Sequence, residues 1–342
     1  MRLLITGGAG FIGTNFIKFI LTTHPDYQVI NFDKLTYAGN LKNLAEVEGN
    51  PRYRFFRGDI TSPPQVEEAL GEKVDAILNF AAESHVDRSI EEPHCFVYTN
   101  VLGTQVLLEA ARKQKVERFI QVSTDEVYGS LGPEDYFFET TPLDPSSPYS
   151  ASKASADLLV QAYFRTYRQP VLITRCSNNY GPYQFPEKLI PLLISNAMND
   201  RPLPIYGDGM NIRDWLFVED HCRAIDLVLH GGEPGEVYNI GGHNERRNLE
   251  VARTILKSLS KPESLLTFVQ DRPGHDRRYA IDASKIKQTL GWEPLTSFDS
   301  GIQFTIEWYQ AHQHWIREIQ QGEYRQYYEK MYLRREETLG AL

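Results

Sequence analysis

Short apolar runs recur along the first half of the chain, and each is followed by a segment whose apolar positions repeat at helical spacing. That alternation marks a parallel sheet with helices on both faces. The runs predict strands at 3–6, 29–33, 53–57, 76–80, 119–123 and 171–175, with helical segments at 11–22, 41–47, 64–70, 95–113 and 148–167. The carboxyl ends of such strands share one edge, which is where open α/β sheets bind ligands.

After Tyr180-Gly181-Pro182 the rhythm changes. Pro182, Pro186, Pro191, Pro202, Pro204, Gly207 and Gly209 crowd the next segment and the apolar runs shorten, which marks the start of a smaller domain. Val237-Tyr238-Asn239-Ile240, closed by Gly241-Gly242, reads as one more strand of the first sheet. We therefore expect a doubly wound first domain over 1–181 that takes back about 212–245. A smaller, discontinuous, mixed α/β domain over 182–342 should hold the substrate. Beyond Gln320 a charged tail with Tyr324, Tyr327, Tyr328 and Tyr332 reads as a peripheral helix.

Composition narrows the function classes. With 342 residues, 41% hydrophobic, the chain is long enough to bury the cores of two domains. A net charge of -9 without a Lys/Arg stripe argues against a nucleic-acid partner, while leaving room for one anionic ligand held by a few arginines. Cys95, Cys176 and Cys222 are too far apart for a C-x-x-C motif and suit a reduced, cytoplasmic protein. The apolar run before Gly7 is shorter than the roughly 7–15 residues of a signal-peptide core. No run approaches the ~20 residues of a membrane span, so no membrane partner is expected.

Thr6-Gly7-Gly8-Ala9-Gly10-Phe11-Ile12-Gly13 follows a predicted strand and opens a predicted helix. Side-chain-free positions there let backbone N–H groups and the helix N-terminus approach a pyrophosphate. This is the Rossmann-type dinucleotide fingerprint. Asp33 closes the second strand, where such folds bind the adenosine ribose, and its charge would repel a 2'-phosphate. NAD is thus favoured over NADP, with the adjacent Lys34 as a small counterweight. Asp59, at the end of the third strand, is placed to accept from an adenine amino group, or is a solvated turn aspartate. Ala81-Ala82-Glu83-Ser84 ends the fourth strand with small residues that admit a cofactor.

The fifth strand runs into Ser123-Thr124-Asp125-Glu126-Val127-Tyr128-Gly129. Two adjacent carboxylates at the end of a buried strand are costly to desolvate and are rarely placed there for stability. Tyr149 and Lys153 lie four apart on one helix face, where a lysine beside a phenol favours phenolate and makes tyrosine a usable base. A hydride-transfer site with two extra acid/base groups points to oxidation coupled to elimination. His85 has no partner at ligand spacing and reads as a structural histidine, so no metal is expected.

These motifs resemble the extended short-chain dehydrogenase/reductase family. Within it, Thr124–Gly129 is very similar to the motif of the dTDP-glucose 4,6-dehydratases. The resemblance continues through Ala81–Ser89, Tyr149–Lys153, Ser177–Pro182, Pro204–Gly209, Arg213-Asp214-Trp215 and Asp271–His275. The chain departs from some members in a short connection between Gly129 and Pro148, which bears on the rim of the site. The resemblance implies that Tyr149, with Thr124 and Lys153, oxidises the sugar at C4, that Glu126 removes the C5 proton, and that Asp125 protonates the departing C6 hydroxyl. It implies NAD contacts at Gly7, Gly10, Phe11, Ile12, Gly13, Asp33, Lys34, Leu35, Thr36, Asp59, Ile60, Ala81, Ala82, Ser84, Thr99, Tyr149, Lys153 and Asn179. A nucleotide sugar, dTDP-glucose, would meet Ser84, Thr124, Asn178, Glu187, Lys188, Leu189, Pro204, Tyr206, Arg213, Asn248, Arg272 and His275. It further implies a homodimer contact on helices near 93–113 and 148–167. Two other readings stay open: a sugar-nucleotide 4-epimerase or UDP-glucuronate decarboxylase, and a non-catalytic NAD sensor. Both carboxylates argue against the first, and the intact Thr124, Tyr149 and Lys153 against the second.

Overall fold

The structure, a computed structural model, describes residues 1–71 and 73–320. The aromatic tail expected as a helix lies outside the described residues. Seven parallel strands form the central sheet in the order β10-β6-β5-β4-β1-β2-β3. They are β1 (Arg2–Thr6), β2 (Gln28–Asp33), β3 (Tyr53–Arg57), β4 (Ala76–Asn79), β5 (Arg118–Thr124), β6 (Val171–Cys176) and β10 (Val237–Ile240). All six strands expected in the first half, and the returning strand at 237–240, belong to this sheet.

Burial on both faces explains why these strands read as continuous apolar runs. Leu3 and Ile5 of β1 face a core under the Phe11–Thr23 and Val218–Gly231 helices. Leu4 faces the opposite core with Phe119, Leu107 and Val160, under the Gly103–Gln114 and Pro148–Tyr167 helices. The register sets Thr124 at the end of β5 opposite Cys176 at the end of β6, so the acidic turn after β5 emerges on the ligand edge.

Smaller sheets complete the chain. β7 (Asn178–Tyr180) and β9 (Ile212–Phe217) run parallel, and β11 (Glu245–Arg247) joins β9 antiparallel. β8 (Leu203–Tyr206) pairs with β12 (Leu266–Val269). Ile190, Leu193, Ile205, Val251, Ile255, Phe298 and Ile302 form a third core around the Leu189–Met198, Asn248–Ser258 and Phe298–Ala311 helices. Of the returning segment about 212–245, β10 enters the large sheet and the Val218–Gly231 helix covers it, whereas β9 lies in the three-stranded sheet.

The segment expected as one helix over 95–113 is three. A short Pro93–Phe96 helix leads into a π-helical Val97–Leu102 turn and then the Gly103–Gln114 helix. Apolar periodicity does not register a wide turn of this kind. At Gly103 a Cβ would lie 2.4 Å from Ile60, so the helix approaches the sheet where only glycine fits. The segment at 41–47 is a 3-10 helix, Leu41–Val47.

Candidate active site

The ligand edge of the large sheet opens into a cavity of about 310 Å³. Gly7, at φ 68°, turns the chain after β1, and a Cβ there would lie 2.6 Å from the Ala81 nitrogen. A Cβ at Gly13 would lie 2.4 Å from the Gly7 carbonyl oxygen. Gly10 is different: its nearest neighbour would be the Gly7 oxygen at 3.3 Å, and it caps the Phe11–Thr23 helix without a side chain. The first amides of a helix have no intrahelical acceptor, and here they line the cavity, as a pyrophosphate requires. Gly8 instead packs on Asn31 and Ile17 and stays off the cavity wall.

Asp33 closes the adenosine end. Its carboxylate accepts from the Ala9 amide at 2.9 Å and the Leu35 amide at 2.8 Å. Burial raises its pKa, and those two amides work against the rise. Leu35, at φ 58°, is the one cofactor candidate that does not line the cavity; its amide fixes Asp33. Every other cofactor candidate, from Gly7 to Asn179, is on the wall, and Ser84 and Thr124 are there too. Buried side-chain oxygens of Ser123 and Gln184, two residues of the same wall, have no hydrogen-bond partner among the described residues.

Thr124 ends β5 and caps the 3-10 turn Asp125–Tyr128, its hydroxyl accepting from the Glu126 amide at 3.3 Å. That one turn gives its two carboxylates opposite surroundings. Asp125 is 1% exposed, and one of its oxygens has no partner. Burial, then the charge of Glu126, pushes it well above the usual carboxylate range. Burial also raises Glu126, but Arg272, Lys188 and Arg213 all favour its charge. The two carboxyls of one turn thus meet different charges: three cations bear on Glu126, whereas Arg213 is the one cation among the main causes at Asp125.

Tyr149 and Lys153 line the same cavity from the Pro148–Tyr167 helix, whose capping box at Ser147 and Ser150 fixes its start. Burial pushes the Tyr149 hydroxyl well up, Glu126 adds to this, and the Thr124 hydroxyl opposes it. The Lys153 ammonium, itself lowered by burial, donates to the Val122 carbonyl at 2.8 Å. A positive charge in the cavity would lower the phenol and favour its ionised form.

A second cavity of about 150 Å³ adjoins the first, and Glu126, Asn178, Glu187 and Lys188 line both. Leu189, Pro204, Tyr206, Arg213, Asn248, Arg272 and His275 complete the sequence candidates on its wall. Arg213 is 5% exposed, lies 4.2 Å over the Tyr279 ring, and donates only to the backbone carbonyls of Ile212 and Asp276. A buried guanidinium without a carboxylate suits a diphosphate. Asp87 and Glu126 help hold Arg272 charged against burial, and its Nη1 reaches Asp87 at 3.4 Å. His275, lowered to about 4 by burial and the two arginines, adds no charge at neutral pH.

Sequence reading missed several residues. His85, set aside as structural, and Asp87 both line the second cavity, and Asp87 accepts from the Tyr206 hydroxyl at 2.9 Å. The Ala81–Ser89 block carried that signal. Tyr37 and Arg88 both bond to Glu187, at 2.9 and 3.2 Å, and fix it where the cavities meet; no spacing rule links residues this distant.

The model of the GDP-mannose 4,6 dehydratase family matches residues 4–305. A dTDP-glucose 4,6-dehydratase of Xanthomonas campestris pv. campestris is 54% identical over 341 residues, covering 94% of this chain and 97% of that protein. A dTDP-glucose 4,6-dehydratase of Streptomyces venezuelae, solved with NAD bound, is 51% identical with TM-score 0.91, over 93% of this chain and 100% of that one. A UDP-glucose 4-epimerase of Thermotoga maritima, solved with UDP-glucose, is 29% identical with TM-score 0.85, over 91% of this chain and 99% of that one. The backbone is thus shared by enzymes of different chemistry.

Proposed function

The chain belongs to the GDP-mannose 4,6 dehydratase family, and we propose that it converts dTDP-glucose to dTDP-4-keto-6-deoxyglucose and water. It is an NAD-dependent hydro-lyase. The observation that carries this reading is the placement of two adjacent carboxyls, Asp125 and Glu126, on one turn at the cavity wall beside Tyr149, with Arg272, Lys188 and Arg213 favouring the charge of Glu126. An epimerase or decarboxylase has no water to expel and no task for both.

NAD fits the larger cavity, where Gly7, Gly10 and Gly13 leave backbone amides open to its pyrophosphate and Asp33 faces its ribose. When bound, it supplies the acceptor that takes a hydride from sugar C4 and later gives it to C6. Tyr149 takes the O4 proton, with the Thr124 hydroxyl bonding the same oxygen. Lys153 holds the cofactor ribose and adds positive charge beside the phenol. A 4-ketone acidifies the neighbouring C5–H, and Glu126, beside Arg272, Lys188 and Arg213, abstracts it. Asp125 gives its proton to the C6 hydroxyl as water leaves, and Glu126 returns the C5 proton. In the second cavity Arg213 and Arg272 hold the diphosphate, while Pro204 and Tyr206 offer flat surfaces to the base.

We propose a 1–181 NAD domain, taking back about 212–245, and a nucleotide-sugar domain over the remainder, supported by the separate core around Ile190, Leu193, Val251 and Phe298. A homodimer through the helices at 93–113 and 148–167 is supported by Val97, Tyr98, Leu102, Leu158 and Tyr167, large apolar side chains left exposed there. Three free cysteines support a cytoplasmic site, and no helix among the described residues is long and apolar enough to cross a membrane. Incubation with dTDP-glucose and with UDP-glucose, read by mass spectrometry, tests the activity. Loss of one water from dTDP-glucose is expected; recovery of an isomer of unchanged mass would favour the epimerase.

A further inference from the structure

On the far side of the large sheet's helical layer, His24 follows the Phe11–Thr23 helix, while Asp226 and His230 lie one turn apart on the Val218–Gly231 helix. Asp226 Oδ1 is 3.0 Å from His24 Nε2 and 3.2 Å from His230 Nδ1. One donor atom from each of the three lies within 4.8 Å of the others. We propose that His24, Asp226 and His230 form a site for a divalent first-row transition ion, Zn²⁺ or its neighbours, which joins these two helices.

The donor set is two imidazoles and one carboxylate, suited to borderline ions and too nitrogen-rich for Ca²⁺ or Mg²⁺. With Zn–N and Zn–O bonds of about 2.0–2.2 Å, a tetrahedral ion sets its ligands about 3.4 Å apart. Two of the three edges are already close to that length, so only the His24–His230 edge must adjust. The fourth position falls to water.

The surroundings are built for it. Tyr27 Oη lies 2.6 Å from His230 Nε2, and its ring stacks on His24 with centroids 4.4 Å apart. In the described state His230 Nδ1 donates to the Asp226 carbonyl at 2.7 Å. Moving that proton to Nε2 frees Nδ1 for the ion and directs the new N–H at Tyr27, the outer-sphere partner that metal-bound histidines favour. No net proton is lost from the ring. Both backbones are held in place: Arg52 donates to the Leu21 and His24 carbonyls at 2.8 and 3.0 Å, and Arg118 to the Gly232 carbonyl at 2.7 Å. Neither the His24 turn nor the His230 turn lines the cofactor or nucleotide-sugar cavity, so the site is separate from the chemistry.

Tag-free, NAD-loaded enzyme titrated with ZnCl₂ in a calorimeter should bind one equivalent and melt at a higher temperature. Titration with Co²⁺ should give the visible bands of a tetrahedral ion. His24→Ala and His230→Ala should each weaken binding, and Tyr27→Phe, which keeps every ligand, should weaken it by about 10–100-fold. Dehydratase activity without added metal should not change in any of these, which also shows that the variants fold. Undiminished binding in the His24→Ala/His230→Ala double variant would place the ion elsewhere, the neighbouring His94 and Cys95 included, and overturn the proposal. So would the absence of saturable binding by the parent.

Discussion

The Lys34 ammonium lies 2.7 Å from an Asp59 carboxylate oxygen, and this ion pair closes the adenosine end of the cofactor cavity. Both residues are cofactor candidates, and they satisfy each other. Burial raises the Asp59 carboxyl, but the Lys34 bond and the Thr61 bonds outweigh it and hold the group below its ordinary value. The one cation near Asp33 in sequence is therefore engaged by a carboxylate rather than left for a 2'-phosphate. We expect the enzyme to purify with NAD and to regain activity, once stripped, with NAD and not with NADP. Equal recovery with both nucleotides would remove Asp33 from the ribose site.

The four fingerprint glycines should separate by what they touch. Gly10→Ala meets only the Gly7 oxygen at 3.3 Å, so the variant should fold and lose NAD. Gly8→Ala would meet Asn31 Oδ1 at 2.3 Å and Ile17 Cδ1 at 2.5 Å, away from the cavity. It should cost about 1–3 kcal/mol of stability through overpacking. Urea melts and the cofactor content of each purified variant check both halves.

Arg213→Ala and Arg272→Ala should weaken nucleotide-sugar binding far more than NAD binding. A lost charge-assisted hydrogen bond is worth roughly 1.5–3 kcal/mol, or roughly 10- to 150-fold in affinity. Titration of free dTDP against each variant measures it. Unchanged affinity in both would leave the arginines as supports for Tyr279 and Asp87.

Acid–base division on the Asp125–Tyr128 turn carries a pH signature. Glu126 must be ionised and its pKa is raised, so activity should fall as pH drops through that raised value. Asp125 must be protonated and its pKa is raised as well, so activity should also fall as pH rises through its value. Stability follows with a definite sign. The native state binds the Asp125 proton more tightly than the unfolded chain, whose aspartates titrate near ~3.9, so stability declines as pH rises between the two values. Asp125→Asn should remove that decline, being more stable than the parent at neutral pH while losing the alkaline limb of its residual activity. Urea melts at acid and neutral pH check the first, and a rate profile the second.

Much of this was legible in the sequence, for identifiable reasons. Parallel strands buried on both faces leave long apolar runs, so β1, β2 and β5 could be placed within a residue or so of their observed ends. Glycines forced by a close approach, as at Gly7 and Gly13, leave a spaced pattern. The π-helical turn at Val97–Leu102 leaves no such mark, because apolar periodicity does not register a wide turn. Contacts across the chain are equally silent: His24 and Asp226 are 202 residues apart, and Tyr37 and Glu187 are 150 apart. Around Tyr149 the limit is similar. Spacing sets Lys153 on the same helix face, but it cannot reveal that the ammonium is engaged by the Val122 carbonyl.

Oxidation and elimination should come apart under mutation, because different residues serve them. In the proposed mechanism C4 oxidation uses Thr124, Tyr149 and Lys153, and water loss uses Asp125 and Glu126. Asp125→Asn and Glu126→Gln keep size and hydrogen bonding while removing proton transfer, so hydride should still leave the sugar. With elimination slowed by about 10²–10⁴-fold, the absorbance of reduced, enzyme-bound cofactor should build up on adding dTDP-glucose. Tyr149→Phe should give almost none, since the O4 proton has no acceptor. The two carboxylate variants should differ from each other as well. Glu126→Gln blocks C5 deprotonation outright, so solvent deuterium should not enter C5. Asp125→Asn leaves the base intact, so C5 should exchange while C6 keeps its hydroxyl. Stopped-flow absorbance and mass spectrometry in deuterated buffer read both. If the carboxylate variants release water at the parent rate, the dehydratase mechanism fails, and an epimerase built on the same backbone becomes the better account.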